Sequence, residues 1–315
     1  MKCIIFIDKY SDWLEVYSPL MEYKNKLSTV KVFFLENARN DKQSMKSIFD
    51  ELLTNEISLQ FCIEKDKNKL FSSFKIAMGQ LSKKDIAIAP YIRYRNLWSL
   101  IYDSRPITVH LTEVIPDTFG PILYRVAFRG KNLKSWLTIP FAYVYALLHK
   151  PDICYFPFFN HMKNSFVKET KKISIPIIYN KNKEVLQLCF SDGVKRPLLI
   201  SGFGFDLDKM VKSLNIEKYV ATSKNKEIIV DGNTIPLEER ICAEEVVLTR
   251  MVTNIIGYNS TAMVWAKIID PQIKVECYTA KELNNNYGRL YALLSKKALK
   301  KIGVIQLPEP KQFVI

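Results

Sequence analysis

The chain has 315 residues, of which 48% are hydrophobic and 25% charged, with a formal net charge of +14. These values suffice for a sizeable core in two domains and exclude a disordered or fibrous chain. No run of about 18 apolar residues occurs, so no transmembrane helix is predicted. The scattered cysteines have no metal-binding spacing and predict buried, reduced thiols, and the start of the chain lacks the layout of a signal peptide. We therefore expect a cytoplasmic protein, whose net positive charge also suits peripheral contact with the anionic inner face of a membrane.

The first half of the chain alternates between strand and helix patterns. Continuous apolar runs predict strands at residues 3–7, 30–35, 57–63, 85–89, 107–111 and 153–156. Apolar residues at helical spacing predict helices at residues 13–23, 45–53, 70–81, 91–102 and 133–148. This alternation is typical of βαβ units with a parallel sheet. The Lys-rich residues 163–172 are the best candidate for a linker.

The second half alternates in the same way. Strands are predicted at residues 185–190, 197–201, 219–222, 228–230, 252–257 and 273–277. Helices are predicted at residues 206–214, 236–245, 260–269 and 280–300. The fold class is therefore α/β, with two Rossmann-like domains at residues 1–165 and 166–315 that face a cleft. A single large α/β domain is the main alternative.

The loop after the fifth predicted strand carries the first group of candidate residues: His110, Glu113 and Asp117. Ligands of open α/β sheets bind beyond the carboxyl ends of the strands, where a carboxylate can act as a general base. Asp117 follows a proline and could instead cap the next helix. His110 lies within an apolar strand and could be a core histidine. The catalytic candidates are therefore Glu113, Asp117 and His110.

A second group lies where an apolar strand turns into an apolar helix: Tyr258, Asn259, Ser260 and Thr261. The two hydroxyls fall at the predicted start of the helix, where they could cap free N–H groups. The same N–H groups and the positive end of the helix suit a phosphate or a carboxylate. Anion binding and simple capping both remain open at this position.

A third group follows the predicted strand at 197–201, where Gly202 and Gly204 form half of a glycine-rich fingerprint. Such glycines could let the backbone approach a nucleotide closely, or they could simply form a tight turn. Ser223 and Lys224 could contact phosphates, although Lys224 could equally face solvent. Phosphate-loop, nucleophile-elbow and zinc-protease motifs do not occur in the sequence, and we predict neither a metal nor a resident cofactor.

The order of these features resembles the bacterial sialyltransferases with the GT-B fold. The segment NIIGYNSTAMVWAKII is similar to the Ser-Ser or Ser-Thr landmark of that family, with Ser260 and Thr261 as the pair. The segment VHLTEVIPDTFG is similar to the acidic landmark, with Glu113 in the acidic position and Asp117 as its competitor. The resemblance is to the capsule and lipooligosaccharide sialyltransferases of glycosyltransferase family 52 and to the related polysialyltransferases. The His-Pro landmark of these enzymes does not occur in this sequence.

The resemblance implies transfer of sialic acid from CMP-sialic acid to a sugar hydroxyl of a capsule or lipooligosaccharide acceptor, with inversion and without a metal. Residues 1–165 would then bind the acceptor, and residues 166–315 the donor. Glu113 or Asp117 would take the proton of the acceptor hydroxyl. Ser260 and Thr261 would hold the donor phosphate, and Gly202 and Gly204 would admit the nucleotide.

Three other functions fit the same sequence. The first is a GT-B transferase with another nucleotide sugar, such as a UDP-sugar. The second is a non-catalytic, transferase-like protein that binds a partner or an anionic inner membrane through its basic surface. The third, nucleic-acid binding, has no recognised motif in the chain, and we predict no nucleic-acid partner.

Overall fold

The structure is a computed structural model of the whole chain. It describes residues 1–37, 41–53, 56–90, 106–111, 152–156, 168–201, 207–222, 226–258, 260–278, 296 and 299–308.

The first compact unit is built on a parallel sheet. Its described strands are β1 (Lys2–Ile7), β2 (Thr29–Leu35), β3 (Ser58–Glu64), β4 (Ile86–Pro90), β5 (Ile107–Leu111), β6 (Ile153–Phe156) and β7 (Glu169–Lys172). They lie in the order β3-β2-β1-β4-β5-β6-β7, and each neighbouring pair is parallel. The six strands predicted in this half are confirmed.

The helices of the first unit follow its strands. The described helices are α1 (Asp12–Tyr23), α2 (Lys42–Leu52) and α3 (Lys67–Met78). Asp41 caps α2 and Asp66 caps α3, each through its carboxylate. Phe6 of β1 and Phe33 of β2 pack edge-on against Phe74 of α3, with ring centroids 5.4 and 5.0 Å apart. These aromatic contacts fix α3 on the sheet.

The division between the two units lies between Pro176 and Ile177 in this part of the chain. The predicted linker at residues 163–172 is wrong for its last four residues, because they form β7. This strand pairs with β6, and the Lys171 ammonium donates to the Glu22 carboxylate at the end of α1. The fit of this basic segment to a sheet edge and to an acidic partner is a long-range property that the local composition does not reveal.

The second unit has a sheet that is parallel at its centre. Its described strands are β8 (Arg196–Ile200), β9 (Val220–Thr222), β10 (Glu227–Val230), β11 (Asn233–Pro236), β12 (Val252–Tyr258), β13 (Lys274–Tyr278) and β14 (Ile305–Leu307). They lie in the order β11-β10-β9-β8-β12-β13-β14. Only the pairings of β10 with β9 and β11 are antiparallel among these strands. Both units are therefore α/β with parallel-dominated sheets, as predicted.

The described helices of the second unit are α4 (Asn180–Cys189), α5 (Leu207–Leu214), α6 (Ala243–Leu248) and α7 (Thr261–Ile269). The strand predicted at residues 185–190 is wrong, because this segment lies in α4. Asn182, Leu186 and Cys189 are buried at helical spacing, whereas Leu188 is 74% exposed. A short apolar run of this kind cannot be assigned to a helix or a strand from its periodicity alone.

The helix predicted at residues 236–245 is also wrong over most of its length. Residues 233–236 form β11, and α6 begins only at Ala243. Asp231 and Gly232, both with positive φ, make the tight turn that joins β10 to β11. This Asp-Gly pair is a hairpin signal that the sequence analysis overlooked.

Several predictions lie outside the described residues. They are the helices at residues 91–102 and 133–148 and nearly all of the helix at residues 280–300. Within the described residues, no helix has the length and apolar character needed to cross a bilayer. Each of the six cysteines is a free thiol, and all except Cys62 are buried.

Candidate functional site

The second sheet reverses its strand order between β8 and β12. From β8 the chain continues to β9 on one side, whereas β12 pairs with the other side of β8 and leads to β13. Ligands of open α/β sheets bind at such a reversal, beyond the carboxyl ends of the strands. Ser201 directly follows β8, and Ser260 lies two residues after β12. Both serines therefore belong to the edge at which a ligand is expected.

Gly257 allows β8 and β12 to come close together at this edge. It pairs with Ile200, and a Cβ atom on Gly257 would lie 2.3 Å from the Ile200 carbonyl oxygen. A real side chain cannot approach a backbone oxygen so closely. Glycine is therefore required at position 257 if both strands are to reach the reversal point in register.

Ser260 is the N-cap of α7. It has extended backbone angles, and its Oγ accepts the backbone N–H of Ala262 at 3.2 Å. A hydroxyl that accepts in this way still has its own hydrogen to donate. Ser260 therefore caps α7, which is one of the two roles left open by the sequence, and its hydroxyl keeps a donor at the positive end of a helix.

Thr261 uses its hydroxyl differently from Ser260. Its Oγ1 donates to Oε1 of Glu244, and Glu244 lies on α6 with only 5% of its surface exposed. A threonine hydroxyl has one hydrogen, so in this arrangement Thr261 offers only lone pairs to any further partner. The structure thus places Ser260 and Thr261 together at the start of α7 but gives them unequal hydrogen-bonding roles.

The position of Glu244 is fixed by its neighbour Glu245, which is fully buried. The Glu245 carboxylate accepts Nδ2 of Asn182 at 2.7 Å and the backbone N–H of Cys242 at 2.8 Å. Asn182 also donates to the carbonyl of Arg240 at 3.1 Å. Burial raises the pKa of Glu245 to about 7, against the lowering effect of these donors. These bonds tie α6 to α4 and hold Glu244 against α7.

Tyr258 lies in the core of the second unit. Its side chain is 1% exposed and belongs to the apolar cluster that includes Leu199, Met210 and Ala221. Its ring centroid lies 5.9 Å from that of Tyr278 at the end of β13. The structure therefore gives Tyr258 a packing role beneath the edge of the sheet.

The remaining predicted site residues lie wholly or partly outside the described part of the chain. Glu113, Asp117, Asn259, Gly202, Gly204, Ser223 and Lys224 lie outside it altogether. Only the backbone of His110 is described, in β5 between Ala89 and Cys154. β9 is parallel to β8 and ends at Thr222, so the carboxyl end of β9 lies at the same edge of the second sheet.

The first sheet has a reversal point of its own, between β1 and β4. Asp8 is the first residue after β1 and is not among the site residues predicted from the sequence. The buried Asp12 carboxylate accepts the backbone N–H groups of Asp8 and Lys9 at 3.2 and 3.1 Å, which closes the turn into α1. The signal in the sequence was the position of Asp8 at the end of the first apolar run. The strand order was needed to show that this run borders the reversal.

The structure is similar to that of Phytolacca americana UGT2, a plant UDP-glycosyltransferase solved in complex with UDP-2fluoro-glucose and pterostilbene. The TM-score is 0.55 at 8% sequence identity, and the match covers 100% of this chain and 86% of the plant chain. No protein-family model and no curated protein matches the sequence. The fold is GT-B.

Proposed function

We propose that this protein is a glycosyltransferase that takes its sugar from a nucleotide-sugar donor. The observation that carries the proposal is the position of Ser260, at the N-terminus of α7 and beside the reversal of the second sheet. A serine hydroxyl and first-turn N–H groups are donors suited to a phosphate. The GT-B fold supports this reading, because the similar plant enzyme was solved with a nucleotide-sugar analogue.

The proposed reaction is a single displacement with inversion at the anomeric carbon. An acceptor hydroxyl attacks this carbon, a new C–O bond forms, and the bond to the donor phosphate breaks. The electron pair leaves with the nucleotide, and the hydroxyl proton passes to a carboxylate. Glu113 and Asp117 are the carboxylates expected from the sequence, and Asp8 is a further candidate at the reversal point of the first sheet. Fixed N–H dipoles near Ser260 would stabilise the charge of the leaving phosphate.

Two donors are supported by different observations. The motif resemblance around Ser260 and Thr261 supports CMP-sialic acid and a capsule or lipooligosaccharide acceptor. The structural similarity to a plant enzyme solved with UDP-2fluoro-glucose supports a UDP-sugar. Because the His-Pro landmark of the sialyltransferases does not occur in this chain, we favour the UDP-sugar.

The test is thermal stabilisation of the full chain by CMP, CMP-sialic acid, UDP, UDP-glucose and GDP at saturating concentrations. Stabilisation by uridine nucleotides alone would support a UDP-sugar donor, and stabilisation by cytidine nucleotides alone would support sialyl transfer. No stabilisation by any of the five would contradict the proposal. Nucleotide binding without donor hydrolysis or sugar transfer to a panel of sugar acceptors would favour the non-catalytic alternative.

The site is tested by Ser260→Ala, with Ser72→Ala as its control. The lost cap lowers the melting temperature by itself, so the quantity to compare is the ligand-induced shift and not the starting value. We expect Ser260→Ala to lose most of the nucleotide-induced shift. Ser72 is an exposed helix residue whose hydroxyl bonds the carbonyl of Asn68, and its substitution should leave the shift unchanged.

A further inference from the structure

Glu244 is a buried carboxylate in the first turn of α6, and none of the described residues around it forms an ion pair with it. It lies on α6, is 5% exposed and accepts the Thr261 hydroxyl at the start of α7. The neighbouring Glu245 accepts hydrogen bonds from Asn182 and from the Cys242 N–H. These bonds restrain α6 and keep Glu244 next to α7. A fixed negative charge therefore lies one hydrogen bond from the predicted phosphate-binding pair.

This contact has two consequences for an anion at the start of α7. The Thr261 hydrogen is committed to Glu244, so Ser260 is the member of the pair that can donate to a phosphate. The charge of Glu244 also acts against a second negative charge nearby, in surroundings where water screens it poorly. Both effects follow from one hydrogen bond between α6 and α7.

We propose that Glu244 is a positioning residue that withholds Thr261 from the donor phosphate and weakens the binding of highly charged nucleotides. The inference rests on the proposed function, because it concerns the same phosphate. It assigns phosphate binding to Ser260 alone, whereas the motif resemblance implies an equal pair. It also provides a physical means of releasing the nucleotide product, which carries more charge than the donor sugar nucleotide.

The experiment is isothermal titration of UDP, UMP and uridine into the wild-type chain and into Glu244→Gln, Thr261→Val and Ser260→Ala. The amide of Glu244→Gln can still accept the Thr261 hydroxyl but has no charge. We expect this variant to bind UDP roughly 3- to 10-fold more tightly than the wild type does. Its gain in affinity for UMP should be smaller, and its affinity for uridine should be unchanged. We expect Ser260→Ala to weaken UDP binding about tenfold and Thr261→Val to change it less than about threefold.

The dependence on ligand charge separates this role from a merely structural one, because a packing defect would affect uridine as much as UDP. Glu184→Gln is the matched control: it removes the same charge from an exposed position on α4 and should leave all three affinities unchanged. If Thr261→Val weakens UDP binding as much as Ser260→Ala, or if Glu244→Gln binds UDP no more tightly than the wild type, the inference is wrong. If the wild-type chain binds none of these ligands and none of the five nucleotides of the thermal assay stabilises it, the proposed function itself is overturned, and the role of Glu244 with it.

Discussion

Arg196 and Asp231 form a bidentate ion pair at the amino end of the second sheet. Nε and Nη2 of Arg196 donate to the two oxygens of Asp231 at 2.9 and 2.6 Å. The other Nη donors reach Asp192 and the carbonyl of Val194, although the Arg196 side chain is only 5% exposed. Asp231 also accepts the Tyr219 N–H, so one guanidinium ties β8 to the turn before β11 and to the start of β9.

We expect Arg196→Lys to lower the free energy of unfolding by about 2 kcal/mol, because one ammonium cannot span two carboxylates and a carbonyl. This loss is smaller than the loss expected for a fully buried ion pair, because the side chains of Asp192 and Asp231 are 42% and 26% exposed. Urea denaturation measures the change. Arg250→Lys, at an exposed position, is the control and should have almost no effect. An equal loss in both variants would contradict the assigned role.

Gly257→Ala should disturb the edge that carries the candidate site. The new methyl group would overlap the carbonyl of Ile200, and separation of the two strands should cost about 3 kcal/mol of unfolding free energy. Gly193→Ala is the control, because Gly193 has a positive φ but nothing within 4 Å of an added Cβ. That change should lower the free energy of unfolding by only about 1 kcal/mol, because it strains the backbone without any side-chain overlap. Similar losses in the two variants would show that the close approach to Ile200 is not limiting.

The buried Glu245 should make stability depend on pH near neutrality. Its pKa is raised to about 7 in the folded chain, above the ordinary value of 4.5, so the folded state keeps a proton that the unfolded state releases. The contribution of Glu245 to the free energy of unfolding is therefore greatest below about pH 4.5 and falls as the pH rises through 7, by roughly 3 kcal/mol in total.

The measurement is the urea midpoint between pH 5 and 8 for the wild type and for Glu245→Gln. The amide does not titrate, so the difference between the two midpoints should change over this interval and become constant above it. Parallel curves for the two proteins would show that Glu245 is not the titrating group.

A hydrogen-bonded group joins α1 to the edge of the first sheet. The Tyr155 hydroxyl donates to Glu22 at 2.5 Å, and the Lys171 ammonium donates to the other oxygen of the same carboxylate. We expect Tyr155→Phe to cost about 1 kcal/mol, because the phenol is buried and its bond to a charged acceptor is lost. Tyr23→Phe, in the same region but half-buried, should cost less in the same denaturation assay.

The motif around residues 257–261 could be located from the sequence, but its chemistry could not be assigned there. A strand, a polar turn and an apolar helix predicted a capped helix start, and Ser260 confirms it. Nothing in the sequence distinguishes the role of Ser260 from that of Thr261. That difference depends on Glu244, which lies 17 positions from Thr261 along the chain and meets it only when α6 packs on α7.

The sequence by itself determined the α/β class and eleven of the fourteen described strands, because apolar runs and helical spacing are local properties of the chain. Only the tertiary structure decided the strand order and the assignment of residues 169–172 to the first sheet. It also decided that Asp8 borders a reversal point and that Glu244 contacts Thr261. These features depend on which segments meet in space, and pairing between segments far apart in the chain leaves no periodic signal in either segment.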